Sequence, residues 1–105
     1  MSNPRPLGER ELTIIHLYAY WELELEPRSF YAKWDVTYEQ IALICSRSPN
    51  TVRHWFQTGC NYRPPSPFDK RHLALMDFLL EHFEEIPPEL FNWLCPRFER
   101  LRQKH

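Results

Sequence analysis

The chain has 105 residues, 43% of them hydrophobic and 15% aromatic, with ten prolines and two glycines. That is one domain's worth of sequence, with enough apolar mass to exclude disorder and too few glycines for a turn-rich β fold. The net charge of −1 excludes a uniformly basic surface, but the charge is unevenly placed: Gln40–Leu75 carries +4, Glu9–Glu39 carries −4, and Met76–His105 carries −2.

The first eight residues hold Pro4, Pro6 and Gly8 and read as a flexible arm. They contain no apolar signal-peptide core, and the apolar runs are too short to span a bilayer, so a soluble cytoplasmic protein is expected. Glu9–Glu24 is predicted as a first helix, with Leu12, Ile15, Ala19 and Leu23 on one face and acids at its start. The alternating ELELE of residues 22–26 is taken as its end. Pro27–Asp35 reads as an aromatic-rich link whose Phe30, Tyr31 and Trp34 pack beneath the helices.

From Thr37 the pattern sharpens. Thr37 and Gln40 have the spacing of a capping box, and Ile41, Ala42, Ile44 and Cys45 follow at helical spacing. Ser46, Arg47 and Ser48 break that helix. Ser48 followed by Pro49 starts another, with a hydroxyl at the cap and proline where its missing N–H costs nothing. Val52, Trp55 and Phe56 give the second helix an apolar face, and Gly59 stands where it is expected to end.

Residues 61–67, NYRPPSP, are a turn-rich connector. Phe68–Glu85 is predicted as an amphipathic helix with Asp69 as its cap and an apolar stripe of Leu73, Met76, Leu80 and Phe83. Pro87 and Pro88 stop it. Glu89 to about Gln103 reads as a last helix, kinked or split by Pro96. The predicted fold is therefore all-α, with a core of three helices followed by a C-terminal helical extension over about 68–103. That extension either closes the same core or pairs with a second copy as a homodimer.

The segment Thr37–Gly59 resembles the helix-turn-helix DNA-binding domains of bacterial and phage-type transcriptional regulators. Ile41, Ala42, Ser48, Thr51, Val52 and Trp55 stand in the usual spacing, and Ala42 is the small residue that lets the helices cross closely. Two residues depart from the pattern. Ser46 stands where glycine is usual and must take the turn with a Cβ present. Arg47 stands where an apolar plug is usual, and so either opens the turn or faces phosphate.

The resemblance implies double-stranded DNA as the partner, with the helix from Pro49 to Thr58 entering the major groove. Asn50, Arg53, His54 and Gln57 lie away from Val52 and Trp55 and are the candidate base-reading residues, since Arg can bind guanine and Asn or Gln adenine. Tyr38, Arg47, Ser48, Thr51 and Arg63 are the candidate phosphate contacts. Transcriptional regulation is the implied role. A protein–protein adaptor and an accessory DNA-binding component of a mobile element are the alternatives.

Catalytic chemistry finds no support in the residue pattern. Two glycines leave no phosphate-binding loop. Glu81, Glu84 and Glu85 near His82 read as a charged helix face. Cys45, Cys60 and Cys95 lack metal-ligand spacing, so no enzyme, metal or cofactor is expected.

Overall fold

A computed structural model describes residues 3–94. Those residues form six α-helices and no strand: α1 (Glu9–Ala19), α2 (Pro27–Lys33), α3 (Tyr38–Cys45), α4 (Pro49–Trp55), α5 (Pro67–Glu81) and α6 (Pro88–Leu94). Short 3₁₀ turns occupy Gly59–Asn61 and Phe83–Glu85. The all-α class follows from the sequence periodicities. The predicted continuation of the last helix past Leu94 lies outside the described residues.

The chain divides into two compact units, Met1–Ala74 and Leu75–His105. The core of the first is built by α2, α3, α4 and the start of α5. Phe30, Ile41, Val52 and Leu73 are fully buried, joined by Ala42, Cys45, Trp55 and Ala74. These are the residues that helical periodicity places inward on α3 and α4. α3 and α4 pack against each other, and Ala42 and Val52 are buried.

The expectation that α1 closes this core is corrected, because α1 buries no residue. Its apolar side chains are spread around the helix, Leu12 and Ile15 on one side and Ile14, Leu17 and Tyr18 on the other, and all five are exposed. The helix also stops at Ala19 rather than Glu24. Residues 21–26 run without regular structure. They are fastened to the start of α5 by the Leu25 N–H donating to the Lys70 carbonyl at 3.1 Å. Lys70 Nζ also pairs with Glu26 at 3.2 Å and Glu24 at 3.8 Å.

The aromatic link is itself a helix. Pro27 occupies the first helical position of α2, and Phe30 projects from it into the core. α2 therefore takes the place given by sequence to α1.

The helix starts obey local chemistry. Thr37 Oγ1 accepts from the Gln40 N–H at 3.1 Å, and Gln40 Oε1 accepts from the Thr37 N–H at 2.9 Å, a complete capping box. Ser48 Oγ caps α4 by accepting from the Thr51 N–H at 3.1 Å. At α5 the cap is Ser66, not Asp69. Ser66 Oγ accepts from the Asp69 N–H at 3.2 Å, and Asp69 Oδ2 accepts from the Ser66 N–H at 2.9 Å. Asp69 is the reciprocal partner three residues in, so the pattern is a second capping box.

In the second unit, Met76, Leu79, Leu80, Phe83, Ile86 and Leu90 line an apolar cavity of about 210 Å³ together with Phe91 and Leu94. The helical stripe of α5 is thus split: Leu73 serves the first core, and Met76, Leu80 and Phe83 serve this cavity. α5 ends at Glu81, and His82 Nδ1 lies 3.2 Å from Glu85 Oε2 across the turn that follows.

Candidate nucleic-acid interface

The turn between α3 and α4 is the three residues Ser46–Ser48. Ser46 sits in the left-handed region at φ 56°, and it is the one non-glycine residue with positive φ among the described residues. Its N–H and that of Arg47 donate back to carbonyls of α3. The turn is held by tertiary contacts rather than by glycine.

Arg47 supplies much of that hold. Its Nε donates to Asp69 Oδ1 at 2.9 Å and its Nη2 to Asp69 Oδ2 at 3.4 Å. Asp69 is 3% exposed and also accepts from Ser66 Oγ at 2.8 Å. Burial raises its carboxyl, but the Arg47 guanidinium and the Ser66 donors outweigh that and hold it below the ordinary carboxylate value. Arg47 therefore forms an ion pair at the rim of the core.

Cys45 lies against the same group, its Sγ 3.6 Å from the Asp69 carbonyl oxygen. Burial, with the nearby Asp69 charge, pushes its thiol up to about 12. Cys45 is therefore a small core residue and not a nucleophile.

α4 exposes Asn50 and Arg53, three residues apart on one face, with Val52 and Trp55 buried on the other. The other candidates are arranged differently. α4 stops at Trp55, so Gln57 lies beyond it and the expected helical reach to Thr58 is shortened by three residues. Gly59 does adopt positive φ, at 68°, but it opens the following 3₁₀ turn instead of closing α4.

His54 Nδ1 is 2.9 Å from the Asn61 carbonyl oxygen. The Arg63 N–H donates to the His54 carbonyl at 3.2 Å, and Arg63 Nη1 donates to the Cys60 and Tyr62 carbonyls, each at 3.0 Å. The loop after α4 is thereby clamped to the helix. Ser48 and Thr51 share a hydroxyl hydrogen bond of 2.9 Å at the start of α4.

Tyr38 is half-buried in an aromatic cluster, stacked on Phe56 with ring centroids 4.6 Å apart and against Tyr31 at 5.3 Å. Arg28 lies over the Phe56 ring at 5.7 Å, and its Nη2 donates to the Gln57 carbonyl at 3.4 Å. Arg28 thus joins the end of α4, a placement that an irregular link over residues 27–35 does not imply. The proline at 27 was the available signal that a helix starts there.

The charge balance of the segment changes accordingly. Lys70 is drawn onto Glu24 and Glu26, and Arg47 onto Asp69. The cations displayed around α4 are Arg53, the partly engaged Arg63, and Arg28.

Among the described residues no helix is long and apolar enough to cross a membrane, and no three His, Cys, Asp or Glu side chains are grouped to hold a metal. Comparison with protein-family models, with curated proteins and with solved structures finds no match to this chain.

Proposed function

We propose that the chain is a sequence-specific double-stranded DNA-binding protein that regulates transcription by placing α4 in the major groove. The observation that carries this reading is the two-sided character of α4: Val52 and Trp55 are buried in the core while Asn50 and Arg53 stand exposed on the opposite face. A short helix fixed by core packing, a cap and an ion-paired turn is a rigid platform for side chains that must meet base edges in register. Arg53 offers a fork of donors suited to guanine, and Asn50 the paired donor and acceptor suited to adenine. Gln57 and His54 extend the face toward the clamped loop. Ser48, Thr51, Tyr38 and Arg63 border it and contact phosphates, with Arg28 added from α2. Arg47 holds the turn through Asp69 and meets phosphate only with its outer edge.

The test is selection from a random duplex pool at two salt concentrations. Enrichment of a defined motif that persists at the higher salt supports the reading. Salt-sensitive binding without enrichment, or no binding at all, refutes sequence-specific recognition.

A second reading, a protein–protein adaptor, draws on one observation. α1 displays Ile14, Leu17 and Tyr18 to solvent at 65%, 67% and 77% exposure. An apolar helix without a cover is a docking element in that reading. Retention of partner binding by the chain with Asn50 and Arg53 replaced by alanine, and its loss when α1 is removed, would favour it.

A further inference from the structure

The hydrogen-bond polarity of His54 is set by its neighbours, and what that polarity can read rests on the DNA-binding reading given above. His54 Nδ1 lies 2.9 Å from the Asn61 carbonyl oxygen. A carbonyl oxygen only accepts, so Nδ1 carries the proton. In the neutral imidazole the other nitrogen is then an acceptor, so Nε2 presents a lone pair and no hydrogen.

The partner oxygen is itself fixed. Gly59 takes a left-handed φ of 68° to open the 3₁₀ turn, and the Tyr62 N–H closes it on the Gly59 carbonyl at 3.2 Å. Arg63 fastens the far side of the loop to the His54 carbonyl through its N–H at 3.2 Å. Its guanidinium also holds the Cys60 and Tyr62 carbonyls. The loop therefore sets the tautomer of a side chain on the last turn of α4. This is the same relation by which an outer partner orients a functional histidine in other sites.

Polarity decides what such a ring can read. In the major groove the donors are the amino groups of cytosine and adenine, and guanine O6 and N7 and thymine O4 accept. Arg53, the preceding residue, has donors only. Two adjacent side chains of α4 thus carry opposite hydrogen-bond character.

We propose that His54 is a specificity-determining residue whose Nε2 accepts a hydrogen bond from the exocyclic amino group of cytosine or adenine. Guanine and thymine at that position meet an acceptor with an acceptor and are rejected.

The experiment has two parts, both on the full chain. Nitrogen-15 NMR of the imidazole at pH 8, without DNA, reports the tautomer directly. The protonated Nδ1 form is expected, and a protonated Nε2 overturns the proposal whatever the chain binds. Selection from random duplexes is then run with the parent and with His54→Arg, which has donors only. The parent is expected to enrich cytosine or adenine at one position, and His54→Arg to change that position to guanine while keeping the rest of the motif.

Replacing the selected base with its analogue lacking the amino group tests the contact without altering the protein. It is expected to weaken binding about tenfold, and 2-pyrimidinone or purine respectively tells cytosine from adenine. A motif that His54→Arg leaves unchanged, together with an analogue that binds as well as the natural base, overturns the contact and leaves DNA binding standing. Absence of any enrichment by the parent refutes sequence-specific recognition and the contact with it.

Discussion

Replacing Asp69 with alanine removes the group on which the turn and the start of α5 both depend. Its carboxylate accepts from Arg47 Nε and Nη2 and from the Ser66 N–H and Oγ, at distances between 2.8 and 3.4 Å. The cap from the Asp69 N–H to Ser66 Oγ survives, and loss of the two hydrogen bonds from the Ser66 N–H and Oγ to a charged acceptor costs about 3 kcal/mol. The Arg47 side chain is 44% exposed, so solvent screens it and the alanine variant leaves no buried cation behind.

The expected total is about 3 kcal/mol. At about 4–8 °C per kcal/mol for a unit of this size, the melting midpoint should fall by about 12–24 °C. Thermal and urea unfolding followed by far-UV circular dichroism would measure it. Asp69→Asn, which keeps one acceptor oxygen for Ser66, should lose about half as much.

The pH dependence has a definite sign. The folded state holds the Asp69 carboxyl below its ordinary value, so its stabilisation is present above the unfolded value of about 3.9 and is lost as pH falls from there through the depressed folded value. Parent stability should drop in that window, and Asp69→Asn should lack that part of the drop. An Asp69→Ala loss below about 1 kcal/mol, or identical acid profiles for parent and Asp69→Asn, would refute this account of the turn.

Four further outcomes follow from the same structure. Ser48→Ala should cost about 1 kcal/mol in urea unfolding, because the Thr51 N–H at the start of α4 loses its acceptor. Phe30→Ala empties the centre of the first unit and should cost about 3–5 kcal/mol; a cost below 1 kcal/mol would show that α2 is not part of the core. Deleting residues 1–20 removes α1, which buries nothing, and should change unfolding stability by less than about 0.5 kcal/mol. Alkylation of the native chain with iodoacetamide, mapped by mass spectrometry, should label exposed Cys60 and leave buried Cys45 unmodified.

What the sequence made legible was local. The capping residues Thr37, Gln40, Ser48 and Pro49 act within four residues of themselves, and their geometry appears as their spacing implied. The positive φ of Ser46 and the burial of Ile41, Ala42, Cys45, Val52 and Trp55 follow from one helical period on each side of a three-residue break.

What remained hidden depends on residues far apart in the chain. Arg47 meets Asp69 across 22 positions, a pairing with no periodic signature. The choice between α1 and α2 for the core turned on which apolar residues share one side of a helix. Leu12, Ile15 and Ala19 share a stripe at helical spacing, but with the equally apolar Ile14, Leu17 and Tyr18 no single face is marked for burial. Phe30, preceded by a proline at the first helical position, marked α2 more economically. Of the candidate base-reading residues, spacing correctly put Asn50 and Arg53 on the outer face. It gave no warning that α4 stops before Gln57, or that His54 is tied to Asn61.

The most direct measurement is an amide NMR titration of the nitrogen-15-labelled full chain with a duplex that it selects. The account predicts shift changes concentrated on Ser48–Gln57, the adjoining loop to Arg63, and Tyr38 with Arg28, and little change along α1 or in Leu75–Leu94. Changes confined to α1 or to the second unit, with α4 unaffected, would contradict it.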